Sequence, residues 1–345
     1  MSPTNYSHLR PLTMGQIIDR AIRLCRHNLG RFVGLAALVQ IPVGLVALVP
    51  TAALWYNDAL GDIEIDPERY FNVMFYGGLL TMVVALVSGI WAQVGAAAMT
   101  QMAVDSYLGQ TTGIVAAFTK IGRSWVSLLG ALLFGGLIVL GFVILFVIPC
   151  VNIIAGIPGA GMVIYGVMIL LPLLVPVVVL ERLSAGKALR RTWELARQRF
   201  WWLFGFFLLL ALFSLVVVQG PLYFLLGITA LASGLEVGGG ALSIMQVVAA
   251  TLLGVIYFPI QTVCVMLVYL DLRIRHEGLD LALQAADGVL DEPAIVLRQS
   301  PPASERLLVG AEWGYFIAIS VGLGLVFGAI IALFTLLMFP LMLGA

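Results

Sequence analysis

The sequence predicts an all-α integral membrane protein: three parallel repeats of an interfacial amphipathic helix plus two transmembrane helices, with a seventh C-terminal transmembrane helix. Three observations carry this. Apolar residues make up 61% of the 345 residues and charged ones 10%, with a mean hydropathy of +1.07. A soluble domain is nearer half apolar and about a quarter charged, so the bilayer is the solvent that suits this chain. Second, 57 residues between Arg123 and Glu181, and 34 from Val237 to Leu270, contain no Asp, Glu, Lys or Arg. A span takes about 20 apolar residues, so the first stretch holds two crossings and the second holds one. Third, a short basic, amphipathic segment recurs ahead of each pair of spans.

Charge gaps and Gly/Pro punctuation place the spans at roughly 32–54, 71–103, 126–149, 158–180, 200–228, 241–270 and 311–340. Pro42, Pro172, Pro176, Pro221 and Pro259 fall inside spans and mark expected kinks. The stretch "IPCVNIIAGIPGAG" (148–161) reads as the turn between the third and fourth spans, with a partly re-entrant loop as the alternative. With this layout the N-terminus and the loops after spans two, four and six share one side. That side carries 17 of the 18 Lys and Arg residues, and Arg69 is the exception. The positive-inside rule places it in the cytoplasm and leaves the C-terminus outside. A largely polar twelve-residue segment and a charged helix precede the first span, which does not fit a secretory signal.

The segment "GKALRRTWELARQRFWW" (186–202) concentrates five cations in 17 residues. On a helix, Leu189, Trp193, Ala196 and Phe200 share a face, and Lys187, Arg190, Arg191, Glu194 and Arg197 take the remainder. Glu194 can pair with Arg190 or Arg197, and Ser184 is a candidate N-cap. Such a helix lies in the membrane interface, its cations among headgroups. Its apolar face meets either acyl chains or protein; the sequence leaves both open. "LTMGQIIDRAIRLCRHNLGRFVG" (12–34) matches "LSAGKALRRTWELARQRFWWLFG" (183–205) without a gap, and Thr13 with Gln16 has capping-box spacing. A weaker copy is "TTGIVAAFTKIGRSWVSLLG" (111–130). Residues 1–275 therefore read as a six-span domain of three repeats (about 12–105, 108–181 and 183–271). A cytoplasmic linker over 276–310 and an additional helix over 311–345 follow. The candidate headgroup-facing cations are Arg20, Arg23, Arg26, Lys120, Arg123, Lys187, Arg190, Arg191, Arg197 and Arg199.

The even spans end in Asp105, Glu181 and Asp271. Either each carboxylate pairs with an Arg of its own repeat and holds the following helix, or the three form an ion or proton site. Their place at span ends rather than at the midplane favours the structural role.

No catalytic spacing emerges. His8, His27 and His276 lie near the inner surface without HExxH or similar metal spacing, and neither GxSxG nor a Walker lysine occurs. Cys25, Cys150 and Cys264 are scattered and read as small membrane-compatible residues. Gly324 and Gly328 form a GxxxG in the last span, which permits close helix contact. Glutamines such as Gln40, Gln93, Gln101 and Gln261 supply interhelical hydrogen bonds but not acid–base chemistry. A net charge of zero excludes a basic field for nucleic acid.

"RPLTMGQIIDRAIRLCRHNLGRFVG", "LERLSAGKALRRTWELARQRFW" and "VYLDLRIRHEGLDLALQ" resemble the opening, central and closing signatures of a bacterial membrane-domain family. It is the family named after the membrane domain of glycerophosphoryl diester phosphodiesterase. The resemblance covers about residues 9–285. It implies a multi-span helical domain and carries no phosphodiesterase chemistry, since the soluble catalytic domain is absent from this sequence.

The resulting expectation is a non-catalytic multi-pass protein of a bacterial cytoplasmic (inner) membrane, without cofactor or metal. It would act as an accessory or scaffold subunit or a lipid-organising module. Its partners would be membrane lipids, and other integral membrane subunits through the 311–340 helix. A transporter or channel for a lipid or small apolar solute is the alternative.

Overall fold

The structure, a computed structural model, describes residues 11–59, 67–122, 124–147, 149–224, 227, 239–286 and 310–343. It is all-helical; no strand occurs among the described residues. A short amphipathic helix, α1 (Met14–His27), leads into α2 (Leu29–Ala59) and α3 (Pro67–Tyr107). A second short helix, α4 (Ile114–Ile121), leads into α5 (Ser124–Val147) and α6 (Pro149–Tyr165). A π-helical turn (Gly166–Leu170) joins α6 to α7 (Leu171–Glu181). The third short helix, α8 (Ala185–Arg197), precedes α9 (Phe200–Ser214), another π-helical turn (Leu215–Gln219) and α10 (Gly239–Glu277). The described chain ends with α11 (Leu279–Ala286) and α12 (Gly310–Leu343).

Among the described residues, six helical stretches are long and apolar enough to cross a membrane: Leu29–Thr51, Phe75–Tyr107, Ser124–Phe142, Gly156–Glu181, Phe200–Phe224 and Ser243–Glu277. They coincide with the first six spans expected from the sequence. The C-terminal segment is helical too, but its described apolar run, Gly310–Val326, is shorter. Most of the expected linker, residues 287–309, lies outside the described residues.

The starts of the short helices follow from local chemistry. Thr13 sits at the N-cap of α1 in an extended conformation. Its hydroxyl accepts from the Gln16 N–H while the Gln16 side chain accepts from the Thr13 N–H, a reciprocal capping box. Ser184 occupies the N-cap of α8, yet its side chain makes no capping bond. Instead Arg182 ends α7 with φ 53°, a left-handed residue that turns the chain within two positions into α8.

Residues 149–161 correct an expectation. They do not form a turn: α6 begins at Pro149 and runs through Pro158 to Tyr165. Proline suits the first turn of a helix, where its missing N–H has no partner to lose. Beyond it, an apolar environment requires every backbone group to be paired internally, which keeps even a Gly-rich stretch helical. Gly161 serves packing instead. A Cβ built there would fall well inside van der Waals contact of the Phe316 carbonyl, so glycine lets α6 and α12 meet backbone to backbone.

The two π-helical turns lie just ahead of Pro172 and Pro221. Proline cannot donate to the residue four back, and its ring crowds that carbonyl. The wider turn absorbs the mismatch: the Leu171 N–H bonds the Gly166 carbonyl and the Gly220 N–H bonds the Leu215 carbonyl.

The core lies where α3, α7 and α10 meet, each packed against the other two. Consecutive residues are buried there, including 97–99 and 102–104 on α3, 173–181 on α7 and 263–274 on α10. A helix buried on all sides is apolar all round, as these sequences are apart from Glu181, Asp271 and Arg273. α2 packs on α3 and α10, and α5 packs on α6, α7 and α8. Outward faces keep large apolar residues such as Leu45, Phe75, Leu86, Leu133 and Val216 exposed, as lipid-facing surface would be.

α1 lies against α10. Burial there pushes the Cys25 thiol up to about 12 from its ordinary 9.0, leaving roughly a thousandfold less thiolate near neutral pH than in an unfolded chain. With Cys150 and Cys264 replaced by Ala, maleimide labelling of native protein near neutral pH should be slow and should accelerate on unfolding. Labelling as fast in the native protein as in denaturant would contradict this seat for α1.

Candidate functional site

The span-end carboxylates each tie a core helix to the amphipathic segment next around the bundle. Asp105, near the end of α3, accepts from Lys120 Nζ of α4 at 2.7 Å and from the hydroxyl of Thr112, just ahead of α4. Gln101, one turn earlier on α3, donates to it at 3.0 Å. Glu181, the last residue of α7, receives Arg191 Nε of α8 at 3.1 Å and the Tyr269 hydroxyl of α10 at 2.8 Å. Asp271, on α10, accepts the backbone N–H of Leu12 at 2.7 Å, immediately before α1, while Arg275 binds both Asp271 (2.9 Å) and the Leu12 carbonyl (2.8 Å). The last core helix thus holds the first amphipathic helix, and the circuit closes across 259 residues of sequence.

The partners differ from an Arg of the same repeat. Asp105 takes a lysine, and Lys120 and Arg191 both come from the helix that follows. Asp271 does receive Arg199, at 3.4 Å from the segment preceding it. For Asp105 and Glu181 the reason is geometric: α4 and α8 start soon after the carboxylate and fold back over it, whereas Asp271 takes the distant Leu12 backbone.

Arg191 is a correction. It was expected among the headgroup-facing cations, but its side chain is only 6% exposed. It lies between Glu181 and Glu277, in short contact with the latter. Arg273 binds Glu277 at 2.8 Å and the Tyr269 hydroxyl at 3.0 Å. Two guanidiniums and two carboxylates therefore neutralise one another inside the protein, the condition under which charge can be buried. Arg273 and Glu277 were not singled out from sequence, and Tyr269 was read only as an inner-interface aromatic; their i, i+4, i+8 spacing on one helix face is the signal that was there.

The other candidate cations fall into two groups. Arg23, Arg26, Lys120 and Lys187 are exposed. Arg20, Arg190, Arg197 and Arg199 are half-buried: Arg20 donates to the Tyr107 hydroxyl at 2.7 Å, Arg190 pairs with Glu194 at 3.4 Å, and Arg199 lies 4.4 Å above the Trp202 ring. Arg123 lies outside the described residues. The amphipathic helices thus present cations outward while packing their other face on protein; α8 buries Ala188, Thr192, Leu195 and Ala196.

Beside α8 lies a cavity of about 520 Å³. Ile138 of α5, Met162 of α6, Gly166 of the π-helical turn, Leu189 and Trp193 of α8, and Phe316 of α12 line it. Among its described lining residues Arg190 alone is charged. An aromatic cluster closes one side. Tyr165 stacks on Phe200 with ring centroids 4.1 Å apart, and Phe316 packs edge-on against both, 6.0 and 5.6 Å away. Phe316, Glu312 and Ile319 form the buried face of α12, so this helix packs on its own chain. Among the described residues nothing stands within 4 Å of a Cβ built on Gly324 or Gly328; the close approach uses Gly161.

Among the described residues, no three His, Cys, Asp or Glu side chains stand together as a metal site. No family model, curated protein or solved structure matches this chain.

Proposed function

We propose that the chain is a non-catalytic multi-pass scaffold of a bacterial inner membrane that gathers anionic lipid at the cytoplasmic face. The observation that carries this reading is the division of labour among its charges. The carboxylates at the core-helix ends bind amphipathic helices, and Arg23, Arg26 and Lys187 of those helices remain outward. Three such helices, each followed by a pair of spans, make three parallel repeats around the α3–α7–α10 core, with the N-terminus cytoplasmic and α12 a seventh crossing. The resemblance to the phosphodiesterase-associated membrane-domain family is consistent with a helical domain of this kind.

The test is reconstitution into phosphatidylcholine vesicles containing spin-labelled phosphatidylglycerol. The motionally restricted fraction should exceed that of spin-labelled phosphatidylcholine and should fall as salt rises. Each exposed cation contributes on the order of 1 kcal/mol, so Arg23→Gln, Arg26→Gln and Lys187→Gln together should remove most of the preference. Equal restriction of both lipids by the unmodified protein would refute the reading.

An accessory-subunit role draws support from α12. Its outward stripe of Trp313, Ile317, Val321 and Leu325 is exposed and flanks the unpacked Gly324 and Gly328, a surface suited to another membrane helix.

A further inference from the structure

We infer that the cavity between α5, α6–α7 and α8 holds one acyl chain of an anionic phospholipid, whose phosphate rests against Arg190 and Lys187. The inference deepens the lipid-gathering reading and rests on it: it assigns one lipid a fixed seat rather than a place in a diffuse shell.

Shape gives the first argument. The α5 wall runs from Gly135 to Phe142, about 10 Å along the helix axis. α8 packs at the Gly135 end, where a Cβ on Gly135 would touch Leu171 and Leu189 at 3.4 and 3.7 Å. The other end, at Phe142, is the end of the apolar stretch Ser124–Phe142 farthest from Ser124. The cavity is therefore a slot with its one cation beside the surface helix and apolar side chains further in, the layout of an amphiphile. Its volume of about 520 Å³ falls within the roughly 300–1,000 Å³ of ligand pockets.

Charge gives the second. Arg190 lines the slot, and Lys187, three residues earlier on α8, is exposed beside it. Arg190 is shared with Glu194, which holds its guanidinium at the rim. The cations favour a phosphate, and the depth favours a hydrocarbon chain attached to it.

The third argument is the π-helical turn. Gly166 opens it and faces the slot, with no atom within 4 Å of where its Cβ would stand. Turns of this kind recur at functional sites, and here the widened backbone and the missing side chain both add room.

The test uses full-length protein reconstituted in vesicles of equal phosphatidylglycerol and phosphatidylcholine, extracted in mild detergent and weighed by native mass spectrometry. The unmodified protein should retain one phosphatidylglycerol after bulk lipid is stripped. Gly166→Leu, which fills the slot, should lose it. Gly186→Leu fills the slot from the surface helix, where a Cβ also meets open space, and should lose it too, covering the case in which the first variant fails to fold. Gly136→Leu, equally unhindered but outside the lining, should keep it. Lys187→Gln with Arg190→Gln should lower the preference for phosphatidylglycerol over phosphatidylcholine by roughly fivefold or more. Retention of phosphatidylglycerol by both slot-filling variants as firm as by the unmodified protein would overturn the slot and leave the lipid-gathering scaffold standing. Loss of all phosphatidylglycerol from the unmodified protein itself would overturn both.

Discussion

Replacing Arg191 with methionine should destabilise the protein by about 3–5 kcal/mol, the cost of removing one partner from a buried ion pair. Methionine fills much of the volume and leaves Glu181 and Glu277 inside without their shared cation. Both acids retain Arg273, which binds Glu277 at 2.8 Å but lies 4.0 Å from Glu181, so Glu181 bears most of the loss. Thermal unfolding in detergent measures the effect. Replacing Glu181 by Gln in the same chain should recover part of it, because the stranded charge goes with its partner. Lys187→Gln, an exposed position on the same helix, should stay within about 0.5 kcal/mol. A loss for Arg191→Met no larger than that of Lys187→Gln would show that the network does not hold α8 in place.

The second large effect is expected at Gly161. Valine there puts its Cβ into the backbone carbonyl of Phe316, and a backbone atom of a packed helix cannot rotate away as a side-chain tip can. α12 must move outward. The Phe316 ring then leaves Tyr165, Trp193 and Phe200, and the Ser320 hydroxyl leaves the Ile157 carbonyl. Overpacking of this kind costs about 1–3 kcal/mol or more. A cysteine pair replacing Ile157 and Ser320 in a background free of other cysteines reads the displacement directly. It should crosslink readily with Gly161 present and poorly with Gly161→Val. Equal crosslinking in both would mean that α12 is not seated on α6.

Much of this architecture was legible in the sequence, for a physical reason. Uncharged stretches such as Val237–Leu270 have one comfortable solvent, and a helix is the conformation that pairs its own backbone there. The Thr13–Gln16 capping box was equally readable, because its partners lie three residues apart. What stayed hidden depends on contacts distant along the chain. Asp271 was visible as a span-end acid, but nothing local tells it to bind the Leu12 backbone. Arg191 was misplaced because periodicity sorts residues by polarity, and a cation is assumed to seek water unless its counter-ions are seen. Glu181 is ten residues away and Glu277 eighty-six. The Gly-rich stretch at 156–161 read as a turn because glycine breaks soluble helices; in this bundle its lack of a side chain admits α12. The slot beside α8 is a property of five packed helices and a π-helical turn, and no segment announces it alone.

The most direct test of a lipid-gathering, non-catalytic scaffold is native mass spectrometry of the protein extracted gently from its own membrane. The account predicts the 37.1 kDa chain carrying anionic phospholipid, lost when Arg23, Arg26, Lys187 and Arg190 are all changed to Gln. A chain that carries no phospholipid and instead retains one reproducible water-soluble metabolite would contradict it.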